Sequence, residues 1–404
     1  VSEISSIFYP NKIKEKIAVT GTNGKTSIVD YTRQIWDLKE INNGCLGTLG
    51  VFNKKKKILN LQLTTPDPVT LNRILNKLYS SGCRKMILEA SSIGLEQNRL
   101  FPLKFEKIAF TNLTNDHLDY HKSFKKYKLA KSLLFTKYSK KSTIAVVNTD
   151  TKYSSFFQTL CKKKKLKVLD FGKKAIFLKI DSIKKVKDSF YVNISLKNQK
   201  SKIIFHCVSI YEIYNRICSL ILVFGEKLSF RDFDLLKSIT NPPGRLENIY
   251  KKKDIKVFVD YAHTPDALKN VLSSLRKTCK GNLILVFGCG GERDKEKRIM
   301  MTREALAFSD NIIITDDNPR NEDPNKIIDD MMKGLKRSFL QKIKKIRNRE
   351  NAIKYSIKIL KKYDVLLIAG KGHENYQIIR NKKNFFSDKL TALKFLGTKD
   401  VMES

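Results

Sequence analysis

The sequence predicts an α/β protein of two domains, each an open, mostly parallel sheet covered by helices. Three observations carry this expectation. Short apolar runs alternate with segments of helical periodicity, the rhythm of strand–helix–strand units. The alternation occurs twice, on either side of "TNPPGRLENI" (240–249), where two prolines and a glycine punctuate the chain. A chain of 404 residues is also too long for one compact core. The domains expected are 1–240 and 241–404.

In the first domain "KIAVT" (16–20) reads as a buried strand, followed by "GTNGKT" and a helix through about Leu38. "PVTLNRILNKLYSSG" sets Leu71, Ile74, Leu75 and Leu78 at helical spacing and ends on a glycine. "RKMILEA" (84–90), "KIAFTN" (107–112) and "TIAVVN" (143–148) read as further buried strands. From about 166 to 210 strands follow one another without helices, in "AIFLKI", "SFYVNISL" and "SKIIFHCVSI". A small antiparallel portion appended to this domain is expected there. In the second domain "KVFVD" (256–260), "NLILVFG" (282–288), "NIIIT" (311–315) and "DVLLIAG" (364–370) read as strands. Each runs into a polar loop at its carboxyl end, the edge where open α/β sheets bind ligands.

Composition excludes several classes. No run of about 18 apolar residues exists, so no membrane span is expected. The start, "VSEISSIFYPNKIKEK", lacks an apolar leader, and its lack of a first Met points to a fragment or a displaced start. Seven cysteines without a C-x-x-C pair fit reduced thiols in a cytoplasmic protein and argue against a sulfur metal cage. The net charge of +39 comes from short lysine blocks such as "NKKKKI" and "CKKKKLK", with no interleaved aromatics. They read as solvated lysine, and no nucleic-acid partner is expected.

"VTGTNGKTS" (19–27) carries the first chemistry, since it follows a strand and opens a helix. Gly21 and Gly24 let backbone approach an anion, and the helix N-terminus favours phosphate. Lys25 adds positive charge and Thr26 can ligate magnesium. Thr22, Asn23 and Ser27 complete the loop. The general phosphate-loop pattern is not met, because its first glycine would fall at Val19.

The form TGTNGKT resembles the Mur ligase family, which makes ATP-dependent amide bonds to amino acids. "ILEASSIGLEQNRL", "FTNLTNDHLDYHKSFKKYKLAKSLLF", "NPPGRLE", "VDYAHTPD", "VFGCGGERDKEKR", "TDDNPRNEDP" and "AGKGHE" follow in the order of the family's MurE branch. The resemblance covers nearly the whole chain. It implies a P-loop-type central ATPase domain and a C-terminal Rossmann-like domain that binds the amino acid. It also implies an ADP-forming ligase that adds meso-diaminopimelate to UDP-N-acetylmuramoyl-L-alanyl-D-glutamate in peptidoglycan synthesis; a monomer is expected. The alternatives are a lysine-adding or folylpolyglutamate synthase-like ligase and, from another class, a basic nucleic-acid-associated ATPase. Branch members carry an N-terminal domain that holds the uridine. Only twenty residues precede Gly21 here, so that domain is expected to be missing, through truncation or because uridine is bound otherwise.

Four of the five histidines, His117, His121, His263 and His373, fall in these polar loops, whereas His206 reads as structural. Acyl-phosphate chemistry requires ATP with Mg²⁺, and Thr26 and Glu89 are suitable hard oxygen ligands. The resemblance implies His117 as a further metal ligand, against a loop-capping imidazole, whereas His121 reads as structural. It also implies that Lys131, on the apparent apolar face of a helix, is carbamylated into a metal ligand. The competing reading is a solvated lysine. Thr64, Thr65, Ser91, Gln97 and Arg99 would contact the muramoyl dipeptide. The threonine pair can equally cap the helix that follows, and Ile93 stands where the branch usually has His. Arg245, Asp260 and His263 would face ATP near the hinge, with Lys371 and His373 beside them.

"TDDNPRNEDP" (315–324) places one cation, Arg320, on an acid-lined turn fixed by proline. By resemblance Asp317, Asn318, Pro319 and Arg320, with Arg293, Gly370 and Glu374, form the diaminopimelate site. An arginine fork matches the second carboxylate that lysine lacks. The plain alternative for Arg320 is a surface ion pair with Glu322 or Asp323.

Overall fold

The computed structural model describes residues 1–187, 189–252 and 254–397. Two compact units divide the chain, Val1–Thr240 and Asn241–Ser404.

The first unit is built on one sheet of eleven strands. From one edge to the other these are Gln199–Phe205, Ser189–Leu196, Leu178–Val186, Lys167–Gly172, Ser139–Asn148, Phe105–Phe110, Glu15–Thr20, Lys85–Glu89, Asn43–Gly47, Gly50–Asn53 and Lys56–Leu59. The centre is parallel and both ends turn antiparallel. Central strands read as unbroken apolar runs because both faces are covered. Ile17, Val19, Ile87, Ala109 and Val146 enter one core, which holds Ile28, Ile35 and Trp36 of the helix Lys25–Leu38 and Ile213 and Ile217 of the helix Ile210–Phe224. Ala18, Leu88, Ile108, Ala145 and Val147 enter the other, against Leu71, Ile74, Leu75 and Leu78 of the helix Pro68–Ser80.

The region 166–210 departs from expectation. Lys167–Gly172 belongs to the parallel core, because the helix Ser154–Lys163 supplies the crossover that lets it return parallel to Ser139–Asn148. The antiparallel strands begin at Leu178 and extend the same sheet instead of forming an appendage.

The second unit has a six-stranded sheet in the order Glu247–Lys252, Ile255–Asp260, Val365–Ala369, Leu283–Phe287, Asn311–Ile314 and Ile343–Lys345. Only its first pair is antiparallel. The loops after Asp260, Phe287, Ile314 and Ala369 therefore emerge at one carboxyl edge. A hairpin, Tyr376–Ile379 with Lys382–Phe385, lies by the third of these loops through a bridge between Ile379 and Arg320. No helix among the described residues is long and apolar enough to cross a membrane.

Candidate functional site

Each unit carries its own cluster. In the first, the turn after Glu15–Thr20 is moulded by its glycines. Gly21 has φ +148°, and a Cβ there would lie 1.8 Å from the Thr111 hydroxyl, so only glycine fits. Gly24, at φ +88°, opens the helix Lys25–Leu38 against Asn215. The loop is tied to "FTNLTND" at several points. Asn23 donates its N–H to Asn112 Oδ1 at 2.9 Å, and Thr111 Oγ1 donates to the Asn23 carbonyl at 2.6 Å. Thr22 Oγ1 meets the Tyr127 hydroxyl at 2.9 Å. Lys25 Nζ lies over the turn, donating to the carbonyls of Gly21 and Thr22 at 2.8 Å each.

Thr26 Oγ1 and Glu89 Oε2 are buried 3.0 Å apart, and the second carboxylate oxygen accepts the Thr48 N–H at 2.7 Å. A Cβ on Gly47 would lie 2.2 Å from that carboxylate, so glycine keeps the space clear. Two hard oxygen donors in one buried place, beside a phosphate-type turn, fit a magnesium ion. Among the described residues no group of three His, Cys, Asp or Glu side chains could hold a metal, so water and phosphate oxygens would complete the shell.

Lys131 is not solvated. It is 1% exposed on the helix Phe124–Thr136, its Nζ donates to the Gly21 carbonyl at 2.8 Å, and it lies 4.6 Å from the Tyr127 ring centre. Burial, and then Lys25, push its pKa well below the ordinary lysine value against the pull of Asp116. His117 opens a short helical turn at φ +53°, with Nε2 3.5 Å from Asp116 Oδ2. His121 is buried, its Nε2 2.9 Å from Ser92 Oγ and its Nδ1 3.3 Å from Glu96, which is a packing role.

Thr65, Ser91, Gln97 and Arg99 come together. Arg99 Nη1 donates to the Thr65 carbonyl at 2.8 Å and its Nη2 to Gln97 Oε1 at 2.6 Å. Thr65 Oγ1 is engaged with the Glu89 carbonyl and the Ser91 N–H, while Thr64 Oγ1 faces Thr48 Oγ1 at 3.3 Å. The cap of the helix Pro68–Ser80 is Asp67, not the threonine pair, because its carboxylate accepts the N–H groups of Val69 and Thr70.

The second cluster stands at the carboxyl edge of the six-stranded sheet. Arg320 adopts φ +54°, and its backbone pairs with the hairpin. Its Nη1 donates to the carbonyls of Gly291 and Asn318 at 2.8 and 3.3 Å. The surface ion pair does not form. Glu322 is taken by Arg298 at 2.7 Å, and Asp323 caps the helix Pro324–Met332. Gly290 passes beneath, where a Cβ would lie 3.0 Å from Arg320 Nη1 and 3.7 Å from Arg293 Cγ. Gly370, at φ +111°, lies under Asp317, whose Oδ2 would sit 2.9 Å from a Cβ there. Pro319 is buried and closes against Gly291.

Lys371 follows Gly370 in "GKGHE". It is fully buried in this second cluster, donating to Asn318 Oδ1 and Glu374 Oε2 at 3.1 Å each. Asn318 Oδ1 also accepts the Ile378 N–H, which turns its Nδ2 toward Glu374 at 3.2 Å. The Tyr376 phenol, 3.4 Å from Glu374 Oε1, is pushed up to about 12 by burial and then by that carboxylate. Asp260 binds backbone: its carboxylate accepts the N–H groups of Leu246 and Ala262 at 2.5 and 2.7 Å, fixing the "PGRLE" turn. Arg245 stacks over Tyr261 at 4.6 Å, and His263 Nδ1 meets the Tyr261 carbonyl at 2.8 Å.

The family models match in the same order. Residues 19–223 match the Mur ligase middle domain, and residues 244–372 match the Mur ligase glutamate ligase domain. The chain belongs to the Mur ligase family. It is 39% identical to the UDP-N-acetylmuramoyl-L-alanyl-D-glutamate–2,6-diaminopimelate ligase of Rickettsia bellii, over 99% of the chain and 84% of that relative. The Aquifex aeolicus protein of the same name is 37% identical over 96% of the chain and 78% of the relative. A solved structure of such a ligase aligns with TM-score 0.68 at 30% identity, covering 98% of the chain and 81% of that structure. The Mycobacterium tuberculosis folylpolyglutamate synthase has TM-score 0.76 at 14% identity, covering 99% of the chain and 95% of that structure, a likeness of fold alone. These relatives place the Mur ligase chain in the MurE branch.

Proposed function

We propose that this chain is an ATP-dependent, ADP-forming ligase that adds meso-diaminopimelate to UDP-N-acetylmuramoyl-L-alanyl-D-glutamate, and that it works in the cytoplasm. One observation supports the amino-acid assignment most directly. Arg320 reaches only carbonyl oxygens, and the Asp317 carboxylate beside Gly370 accepts no hydrogen bond among the described residues. A guanidinium and a carboxylate left in one cluster match an amino acid end that carries both an ammonium and a carboxylate.

In this reading the amides of Gly21–Ser27 and Lys25 hold the terminal phosphates of ATP. The glutamate carboxylate of the dipeptide attacks the γ-phosphorus, the bond to the bridging oxygen breaks, and ADP departs. The diaminopimelate amine then attacks the acyl phosphate carbonyl, losing a proton as phosphate leaves. Thr26 and Glu89 would hold magnesium, which supplies charge screening during phosphoryl transfer. Thr64, Thr65, Ser91, Gln97 and Arg99 hold the dipeptide substrate. Arg245, Asp260 and His263 serve the nucleotide, Asp260 by shaping the Arg245 turn.

Lys131 supports a carbamate reading on physical grounds. Only a neutral amine adds carbon dioxide, and burial weakens this amine's hold on its proton. As a carbamate it becomes an oxygen donor able, with His117, to serve a second metal. The whole reading is tested by ADP release with the muramoyl dipeptide, comparing diaminopimelate with lysine. Strong preference for diaminopimelate is expected, and equal use of both overturns the assignment.

A further inference from the structure

We infer that Arg298 is a specificity-determining positioning residue: by holding both oxygens of Glu322 it keeps that acid off Arg320, whose guanidinium stays available to a carboxylate of the incoming amino acid. The inference rests on the functional reading of Arg320 given above.

Glu322 follows Arg320 by two residues on the same turn, and the two side chains grip one peptide group. Arg320 Nη1 donates to the Gly291 carbonyl at 2.8 Å, while Glu322 Oε2 accepts the Glu292 N–H at 2.9 Å. That carbonyl and that N–H are the two edges of a single peptide plane. Cation and anion therefore lie within about one screening length, ~8 Å at physiological salt. Left alone, Glu322 would be an internal competitor for the arginine.

Arg298 removes the competitor. It lies on the helix Glu296–Phe308 with no exposed surface. Its Nη1 and Nη2 donate to Glu322 Oε1 and Oε2 at 2.7 Å each, a parallel fork. The same nitrogens reach Asp330 Oδ2 at 2.8 Å and the Gly290 carbonyl at 3.3 Å. With both terminal nitrogens so engaged and no exposure, Arg298 does not itself meet a ligand. The hydrogen bonds from Arg298 hold the Glu322 carboxyl at about 2, so it stays ionised and paired.

A purely structural arginine would make the same contacts, so the test uses rescue. KM and kcat for diaminopimelate and for lysine are measured by ADP release in the full chain, for wild type, Arg298→Met, Glu322→Gln and the double variant. Arg298→Met is expected to raise the KM for diaminopimelate about tenfold or more, equivalent to about 1.4 kcal/mol, and to lower its preference over lysine. Glu322→Gln should stay near wild type, and the double variant should recover most of the lost KM. Arg298→Lys, which keeps a charge but not the fork, should show a smaller rise that Glu322→Gln also relieves, and it serves if the methionine variant fails to fold. An unchanged KM in folded Arg298 variants, or a double variant no better than the single, overturns the inference. Failure of the wild type itself to prefer diaminopimelate overturns the functional reading and this inference with it.

Discussion

Arg320→Met tests the recognition chemistry with the least disturbance to the fold. The side chain is half-buried and donates only to two carbonyl oxygens, so its loss should cost stability about 1 kcal/mol. Its loss to binding is larger. On the proposed assignment a bidentate pair with a ligand carboxylate would disappear, leaving that carboxylate desolvated without a partner. Truncations of that kind cost about 2–5 kcal/mol, so kcat/KM for diaminopimelate should fall roughly 30-fold to several thousand-fold. Lysine brings no carboxylate to this position, so its use should change little and the preference should collapse. The assay is ADP release across a range of each amino acid, with urea unfolding to confirm an intact fold. A folded variant that keeps its preference for diaminopimelate refutes the reasoning.

Three further outcomes follow from the geometry. Gly21→Ala forces a Cβ to 1.8 Å from Thr111 Oγ1 and 3.1 Å from the Asn112 backbone nitrogen, at φ +148°. It should abolish ADP release and lower the urea midpoint by the equivalent of about 1–3 kcal/mol, and an active variant would show that the turn is not the phosphate site. Lys131 has a folded pKa lowered by burial, so the unfolded chain binds a proton that the folded chain does not, over the window up to the ordinary value of 10.5. Its contribution to stability therefore rises with pH in that window, and Lys131→Met should remove that rise when unfolding is followed from pH 7 to 10. The same buried amine should gain the mass of one carbon dioxide under bicarbonate, and an active, magnesium-loaded enzyme without it would rule out the carbamate. Arg349 and Asp388 form a fully buried pair with two contacts of 2.7 Å. Arg349→Met should cost about 3–5 kcal/mol in urea unfolding by stranding Asp388, and a loss below about 1 kcal/mol would contradict that.

What could be read in the sequence was what short range encodes. The strand, turn and helix around Gly21, the buried strands on both sides of residue 240 and the loops at their carboxyl ends follow from local periodicity and glycine placement. Partnerships between distant residues did not follow. Arg298 meets acids 24 and 32 positions away, and nothing in "DKEKR" distinguishes it from the solvated cations around it. Lys371 reads as one more polar loop residue until Asn318, 53 positions earlier, closes over it. Nothing in the sequence marks Thr48 or Asn215, because each belongs to an otherwise ordinary strand turn or helix. Thr111 and Asn112 lie in "FTNLTND", where a polar run after a strand end is the signal for their tie to Asn23. The antiparallel strands are legible as strands, but sharing a sheet with the parallel centre is a matter of edge pairing, which periodicity does not encode.

The outermost strands of both sheets have a property in common. Gln199–Phe205, Lys56–Leu59, Glu247–Lys252 and Ile343–Lys345 each carry at least two lysines: Lys200 and Lys202, Lys56 and Lys57, Lys251 and Lys252, Lys344 and Lys345. A bare strand margin is a template on which another copy can polymerise, and lysine is an effective deterrent to that stacking. Part of the chain's large positive charge thus acts as a guard against fibrillar self-association. Two copies that approached along these margins would set lysine against lysine before their backbones could pair.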